Sequence, residues 1–311
     1  MADPAMATSE SVPIAFPEIA AVVLLAGGLK PSPLVQAVGR SVLDLSLTPD
    51  RTLLELWVAA LDGPLWPASR APKVYVVCGG NTPNPEPPTT GGGLDVVIQH
   101  DRKTFRGPAG AVLDVTEDLE PGATILVAEG HRTPLDSIDD FLLAHAAGGA
   151  EASVAVNPDG SPAGVYALRR RTLDQVTRVG FMDLKEQWLN KAVSSGVRVG
   201  ALRLPAPGSL PLRTREQFLF AAMSLSGAET RDRLPACTIL DPSRPNEQAP
   251  FRVLAAGGCI GPGAVVVDSV VMPEAEVGAG AVVVRSMVCP GAKVQPGAEV
   301  VDAVVTRTGV A

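Results

Sequence analysis

The run with the most chemical content is Leu25-Ala26-Gly27-Gly28-Leu29-Lys30, where two glycines follow an aliphatic strand-like segment directly. Glycines in that place let the backbone approach a phosphate and aim its amides at it, with Lys30 as a point charge; any tight turn uses the same pair. Arg106-Gly107-Pro108-Ala109-Gly110 opens a helix-like stretch. Its amides and the Arg106 guanidinium could meet a second anion, or Pro108 simply occupies a first helical turn. His131 and Arg132, after the aliphatic run 125–128, either bind an anion or form a solvated loop.

These residues need a scaffold, and the hydrophobic pattern supplies one. Short Val- and Ile-rich runs bounded by Gly, Pro or Asn predict strands at Ala20–Leu25, Lys73–Val77, Leu94–Ile98, Thr124–Ala128, Ala152–Val156, Gly164–Leu168 and Val197–Leu204. Helices are predicted at Thr52–Leu61, with Thr52 and Glu55 as a capping pair, and at Ala109–Leu119, Leu135–Ala147, Asp183–Ser194 and Arg215–Leu225. Alternating β and α units imply a mostly parallel sheet covered on both faces, with ligands at the carboxyl ends of its strands.

The last sixty residues follow another rule. Val267–Val283 and Val284–Val300 are copies 17 residues apart, sharing Ser269/Ser286, Pro273/Pro290, Ala275/Ala292, Val277/Val294, Gly280/Gly297 and Ala281/Ala298. A fixed short period with aliphatic residues every five or six positions and glycine at the corners predicts a short C-terminal left-handed parallel β-helix of hexapeptide repeats. The expected division is a tail at 1–18, an α/β domain at 19–227, a linker at 228–250, the β-helix at 251–305 and a tail at 306–311. A stack this short leaves an end and edges for another subunit to cover, so a homo-oligomer is expected.

Composition narrows the functions. Among 311 residues, 26 basic against 33 acidic side chains give a net charge of −7, which argues against nucleic acid and anionic membranes. Aromatics make up 4%, too few for base-stacking platforms. No apolar run has the roughly 20 residues of a membrane span, and no basic-then-apolar leader opens the chain. Cys78, Cys237, Cys259 and Cys289 lack CxxC spacing, which fits a reducing cytoplasm without structural zinc.

Taken in order, these segments resemble the sugar-phosphate nucleotidyltransferase (NDP-sugar pyrophosphorylase) family, in particular its mannose-1-phosphate guanylyltransferase-like members. LLAGG at 24–28 resembles the opening of the nucleotide loop, and Gly39–Leu43 sits where the family has its Pro-Lys-Pro-Leu segment. RGPAGAV at 106–112 resembles the Gly-Thr-Ala-Gly segment around the base, and ILVAEGH at 125–131 the strand ending in Gly-Asp. SPAGVYALRR at 161–170 and GFMDLKEQWL at 180–189 resemble the sugar-side strand and the helix after it. The resemblance implies a Rossmann-like domain joined to a β-helix. It makes Leu25, Ala26, Gly27, Gly28, Gly107, Ala109 and Gly110 nucleotide-binding candidates. Lys30 and Arg40 become the catalytic candidates if the chain is active. Glu129, His131, Arg132, Gly164, Asp183, Lys185 and Glu186 fall on the sugar or phosphate side. The last three equally suit the solvent face of a capped helix whose apolar side is Leu184, Trp188 and Leu189.

The same resemblance exposes departures. The loop continues Leu29-Lys30-Pro31-Ser32 where the family has Xaa-Gly-Thr-Arg, and Pro31 has no amide to donate. His131 replaces the metal-binding aspartate; the second metal aspartate falls near Pro211 in Ser209–Thr214. Mg²⁺ prefers carboxylate oxygen, so no metal ligand is expected, and Mg²⁺ enters only if the chain turns over. Glu129 shares a face with position 131 but differs in depth, so it would reach the site only with a reshaped strand end. Two functions follow: a family member that binds a nucleotide or nucleotide-sugar with weak or no catalysis, in a regulatory or assembly role beside an active paralogue or another protein; or an active transferase with an altered site. A hexapeptide acyltransferase would need a histidine near the coils, whereas His100, His131 and His145 all lie in the first domain.

Overall fold

The computed structural model describes residues 17–28, 30–62, 71–89, 93–101, 106–206, 208–225, 252–254 and 257–310. The expected N-terminal tail, apart from its last two residues, and the expected linker lie outside the described residues. So does Cys237.

The aliphatic runs form seven strands, β1 (Ile19–Leu25), β2 (Lys73–Cys78), β3 (Val96–His100), β4 (Thr124–Glu129), β5 (Ala152–Val156), β6 (Pro162–Arg169) and β7 (Val199–Arg203). They assemble one sheet in the order β3-β2-β1-β4-β6-β5-β7. All neighbours are parallel except β6, which runs antiparallel to β4 and β5. The helices are α1 (Pro33–Val38), α2 (Leu53–Leu61), α3 (Gly107–Val115), α4 (Ile138–Gly148), α5 (Leu189–Ser194) and α6 (Arg215–Leu225). One core, with Leu24, Val76, Trp57, Phe141 and Phe218, fills one face of the sheet, and a second, with Val23, Val127, Tyr166 and Trp188, fills the other. Covering both faces is what excludes water from parallel strands.

Helix starts follow local chemistry. Thr52 and Glu55 form the expected box: the Glu55 amide donates to Thr52 Oγ1 at 3.3 Å and the Thr52 amide to Glu55 Oε2 at 2.9 Å. The pattern did not predict α1, a six-residue helix capped by Ser32, begun by Pro33 and stopped by Gly39 at φ +69°. It is too short to show a periodic face. The helix expected over Asp183–Ser194 begins as a π-helical turn, Leu184–Trp188, before α5. In that turn the Trp188 amide donates to the Asp183 carbonyl at 2.8 Å, and the buried indole donates to the Thr172 carbonyl at 3.0 Å.

The C-terminal coils stack with a strict 17-residue offset. Val265 pairs with Val282 and Val282 with Glu299; Val270 pairs with Met287 and Met287 with Val304. The three resulting parallel sheets enclose Val266, Val271, Val277, Val283, Val288 and Val294. A serine ladder reinforces one corner: the Ser286 amide donates to Ser269 Oγ and the Ala303 amide to Ser286 Oγ, each at 3.0 Å. At another corner only glycine fits, because a Cβ on Gly278 would stand 2.4 Å from the Pro296 nitrogen. The expected tail at 306–311 needs correction. Gly309 and Val310 fold back antiparallel on Thr306 and Val305 and extend one sheet, because Thr306 Oγ1 accepts the turn amide of Thr308 at 3.3 Å and donates to the Gly309 carbonyl at 3.0 Å.

Strand alternation gives the coils a second apolar face. Val270, Met272, Met287, Cys289 and Val304 point away from the coil interior and join the core that holds Leu34 and Val38 of α1 and Phe218 and Ala222 of α6. Arg215 of α6 adds an ion pair to Asp302 at 3.5 Å. The β-helix is therefore built onto the α/β domain along one side. Among the described residues, no helix is long and apolar enough to cross a membrane.

Candidate functional site

The glycine loop leaves β1 between two neighbours. The Ala26 amide donates to the Val77 carbonyl at 2.8 Å, and the Gly130 amide donates to the Leu25 carbonyl at 2.9 Å. This anchors the loop over the carboxyl ends of β2 and β4. A Cβ on Gly27 would lie 2.4 Å from Thr82 Oγ1 and 3.0 Å from the Gly79 nitrogen, so only glycine permits this approach. Leu25 and Ala26 are buried beneath the loop, Gly28 reaches the surface and Lys30 is exposed.

Gln99, Val77, Leu25 and Glu129 stand in register across β3, β2, β1 and β4, which puts them on one face at the carboxyl edge. Three side-chain groups in this region are buried without a hydrogen-bond partner among the described residues: Thr82 Oγ1, Gln99 Nε2 and Tyr166 Oη. A buried polar group without a partner is a state that folded proteins keep scarce and that a bound polar ligand or an ordered water relieves. Tyr166 is 1% exposed, and burial pushes its hydroxyl well above the ordinary tyrosine range, with Glu129 and Asp183 adding to the effect.

The exit of β4 carries most of the charge. Residues 131–133 pair with 210–212: the Thr133 amide donates to the Leu210 carbonyl at 2.9 Å and the Leu212 amide to the His131 carbonyl at 2.8 Å. The Arg213 carbonyl in turn accepts from the Leu34 amide at 2.9 Å. Two segments about 80 residues apart thereby meet beside the glycine loop, and Ser209–Thr214 reaches position 131 as the resemblance implied. His131 Nε2 lies 3.4 Å from Glu129 Oε2 and 2.9 Å from Arg213 Nη2.

Burial alone would raise the Glu129 pKa, but the hydrogen bond and charge of His131, with the charges of Arg132 and Arg213, hold it below the ordinary value. Arg132 is committed to the scaffold. Its Nη2 donates to the Ser209 carbonyl at 2.7 Å, and its own carbonyl accepts from Trp57 Nε1 at 2.9 Å. Gly164, at φ +73°, makes room for both side chains; a Cβ there would stand 2.6 Å from Arg132 Cδ and 2.9 Å from Glu129 Oε2.

The second glycine segment is packed rather than open. The Met182 amide donates to the Arg106 carbonyl at 3.0 Å, and the Ala109 amide donates back to the Met182 carbonyl at 3.1 Å. Gly107, at φ +71°, lets Met182 and Phe181 close over it, and Gly110 lies against the Arg106 side chain. Arg106 forms a buried pair with Asp114 at 3.1 Å and donates to the Thr177 carbonyl at 2.5 Å. Of the two readings of this segment, the Arg106 guanidinium and the Ala109 amide support the structural one. Asp183 accepts from the amides of Lys185 and Glu186 at 2.7 and 2.9 Å, while both of those side chains are exposed.

Arg40 lies elsewhere. Its charge acts on Asp44 and on Cys289 of the β-helix, away from Glu129 and His131. Burial first, with Glu86 adding, raises the Asp44 pKa from 3.8 to about 6, against the opposing Glu86 amide hydrogen bond and the Arg40 charge. A carboxyl with a raised folded pKa holds its proton more tightly in the native state. Stability therefore falls as pH rises from about 4 to 6 and is level above that. Asp44→Asn keeps an acceptor for the Glu86 amide. It should be more stable than the parent at pH 8 by about 1–2 kcal/mol and equal to it near pH 4. Urea unfolding at the two pH values measures this; equal differences at both would show that Asp44 ionises normally.

The family metal does not fit these residues. Among the described residues, no group of three or more His, Cys, Asp or Glu side chains converges on a point. Glu129 and His131 meet an arginine at this position instead of a second carboxylate. The sequence reading missed Arg213, Tyr166, Thr82 and Gln99. Thr82, three residues after Gly79, and Tyr166, two after Gly164, offered a weak signal, whereas Arg213 and Gln99 offered none.

A three-layer α/β sheet with a glycine loop at its carboxyl edge, joined to a parallel β-helix, defines a protein with the sugar-phosphate nucleotidyltransferase fold and a hexapeptide-repeat tail. The chain is similar to a solved Bacillus anthracis structure, described as a glucose-1-phosphate thymidylyltransferase in complex with a sucrose, with a TM-score of 0.50 and 13% identity over 66% of this chain and 94% of that one. Residues 235–310 match the family described as GlmU-like, C-terminal hexapeptide. No curated protein matches the chain in sequence. At that identity the likeness carries the fold and leaves the chemistry to the residues.

Proposed function

We propose that the carboxyl edge of the sheet binds a nucleotide or nucleotide-sugar and turns it over weakly or not at all, in a regulatory or assembly role. The observation that carries the binding is the set of buried groups without a partner among the described residues, Thr82 against the loop that only Gly27 can form and Gln99 and Tyr166 on strands of the same sheet. The neighbour of the same fold, described as a thymidylyltransferase, supports a sugar-phosphate or nucleotide as the ligand class. Weak turnover follows from the β4 exit. Attack of a sugar phosphate on a nucleoside triphosphate brings two anions together, and a divalent ion normally supplies several kcal/mol of charge stabilisation there. Glu129 and His131 alone do not make its site.

The exposed Lys30 favours the second reading, an active transferase with an altered loop. One experiment separates the two. The protein is given Mg²⁺ and a matrix of nucleoside triphosphates and hexose 1-phosphates, and nucleotide-sugars are titrated by calorimetry. Binding of at least one nucleotide-sugar without pyrophosphate release is expected. Robust release with one pair would establish the active enzyme, and silence in both assays would remove the binding reading too.

A further inference from the structure

We propose that Arg213, held against His131 at the exit of β4, is a fixed cation standing where the fold otherwise places a divalent metal, so that this site holds a diphosphate group without Mg²⁺. The inference rests on the binding reading above and adds how the anion is neutralised.

The backbone of Arg213 is fixed from three sides. Its amide donates to Gln217 Oε1 at 2.9 Å, its carbonyl accepts from Leu34 next to the glycine loop, and the preceding Leu212 pairs with His131. The guanidinium touches His131 Nε2 at 2.9 Å and remains exposed. Arg132 cannot take this part, because Ser209 already occupies its guanidinium. Glu129 contributes one negative charge and Arg132 and Arg213 two positive ones, so the cluster is cationic without a metal. A guanidinium offers two parallel N–H groups to a phosphate and stays charged at any working pH. Tyr166, 1% exposed and unpartnered among the described residues, supplies a neutral donor beside Glu129. An incoming Mg²⁺ would meet the Arg213 charge and find one carboxylate where it needs several oxygens.

The test uses the full chain and inorganic pyrophosphate, titrated by calorimetry in EDTA and in excess Mg²⁺. Binding in EDTA is expected, unchanged or weakened by Mg²⁺, which competes for free pyrophosphate. Arg213→Gln should weaken it at least tenfold, with Arg213→Lys intermediate, and both variants should melt close to the parent. His131→Asp should weaken binding in EDTA, since it adds a second carboxylate beside Glu129. Pyrophosphate binding that is absent in EDTA, or tenfold tighter with Mg²⁺, overturns the proposal, as does an Arg213→Gln variant that binds like the parent. If nucleotide-sugars bind only with Mg²⁺, the binding reading survives and this one fails. If pyrophosphate binds in EDTA but no nucleotide does, the reverse holds.

Discussion

Arg106→Met is expected to cost about 3–5 kcal/mol of folding stability. Arg106 and Asp114 are 4% and 6% exposed, so removing the guanidinium deprives a carboxylate held out of water of that charge and of the hydrogen bonds from Nε and Nη2. It also frees the Thr177 carbonyl and unseats Gly110, which lies against the Arg106 side chain. Adding Asp114→Leu should recover most of the loss, because a buried pair replaced as a whole by apolar groups is often neutral. Urea unfolding of the single and double variants gives the coupling directly. A single variant within about 1 kcal/mol of the parent would mean that Arg106 is not held by the scaffold, and an anion-binding role for RGPAG would return.

Met287→Lys should be the most damaging change in the coils. Met287 is fully buried on the outward face that packs against α1 and α6, among the apolar side chains of that core. An ammonium group there must either stay unpaired or push the β-helix off the domain, at a cost of about 3 kcal/mol or more. Val265→Lys is the matched control: the same coils, also outward-facing, but 46% exposed. It should fall within about 0.5 kcal/mol of the parent. In denaturant, Met287→Lys should split the unfolding transition as the two domains lose their coupling, while Val265→Lys keeps the parent profile. Equal effects from the two variants would show that the seam contributes nothing.

Most of the architecture was legible because it is periodic. Val–Ile runs of strand length, the Thr52–Glu55 pair and a 17-residue repeat are local signals, and each reports a burial pattern that the chain must satisfy wherever it folds. Short or irregular pieces were not legible. α1 has only six residues, β3 begins two residues later than expected, and the Leu184–Trp188 turn is widened without any mark in the pattern. The outward apolar face of the coils was present in the repeat as Val270, Met287 and Val304. Without a partner in view, those positions read as ordinary core.

By itself the sequence determined the order of the elements, the glycine loop after β1 and the absence of an aspartate at position 131. These depend on residue type and near-neighbour spacing alone. Only the tertiary structure decided what takes the aspartate's place. His131 and Arg213 are 82 residues apart, and they meet because the exit of β4 pairs with 210–212 while Arg213 is tied back to Leu34. The fate of Arg106 was settled the same way: its charge is met by Asp114, about two turns along α3. Charge in a site depends on distance and solvent access, which hydrophobic spacing along a chain does not encode.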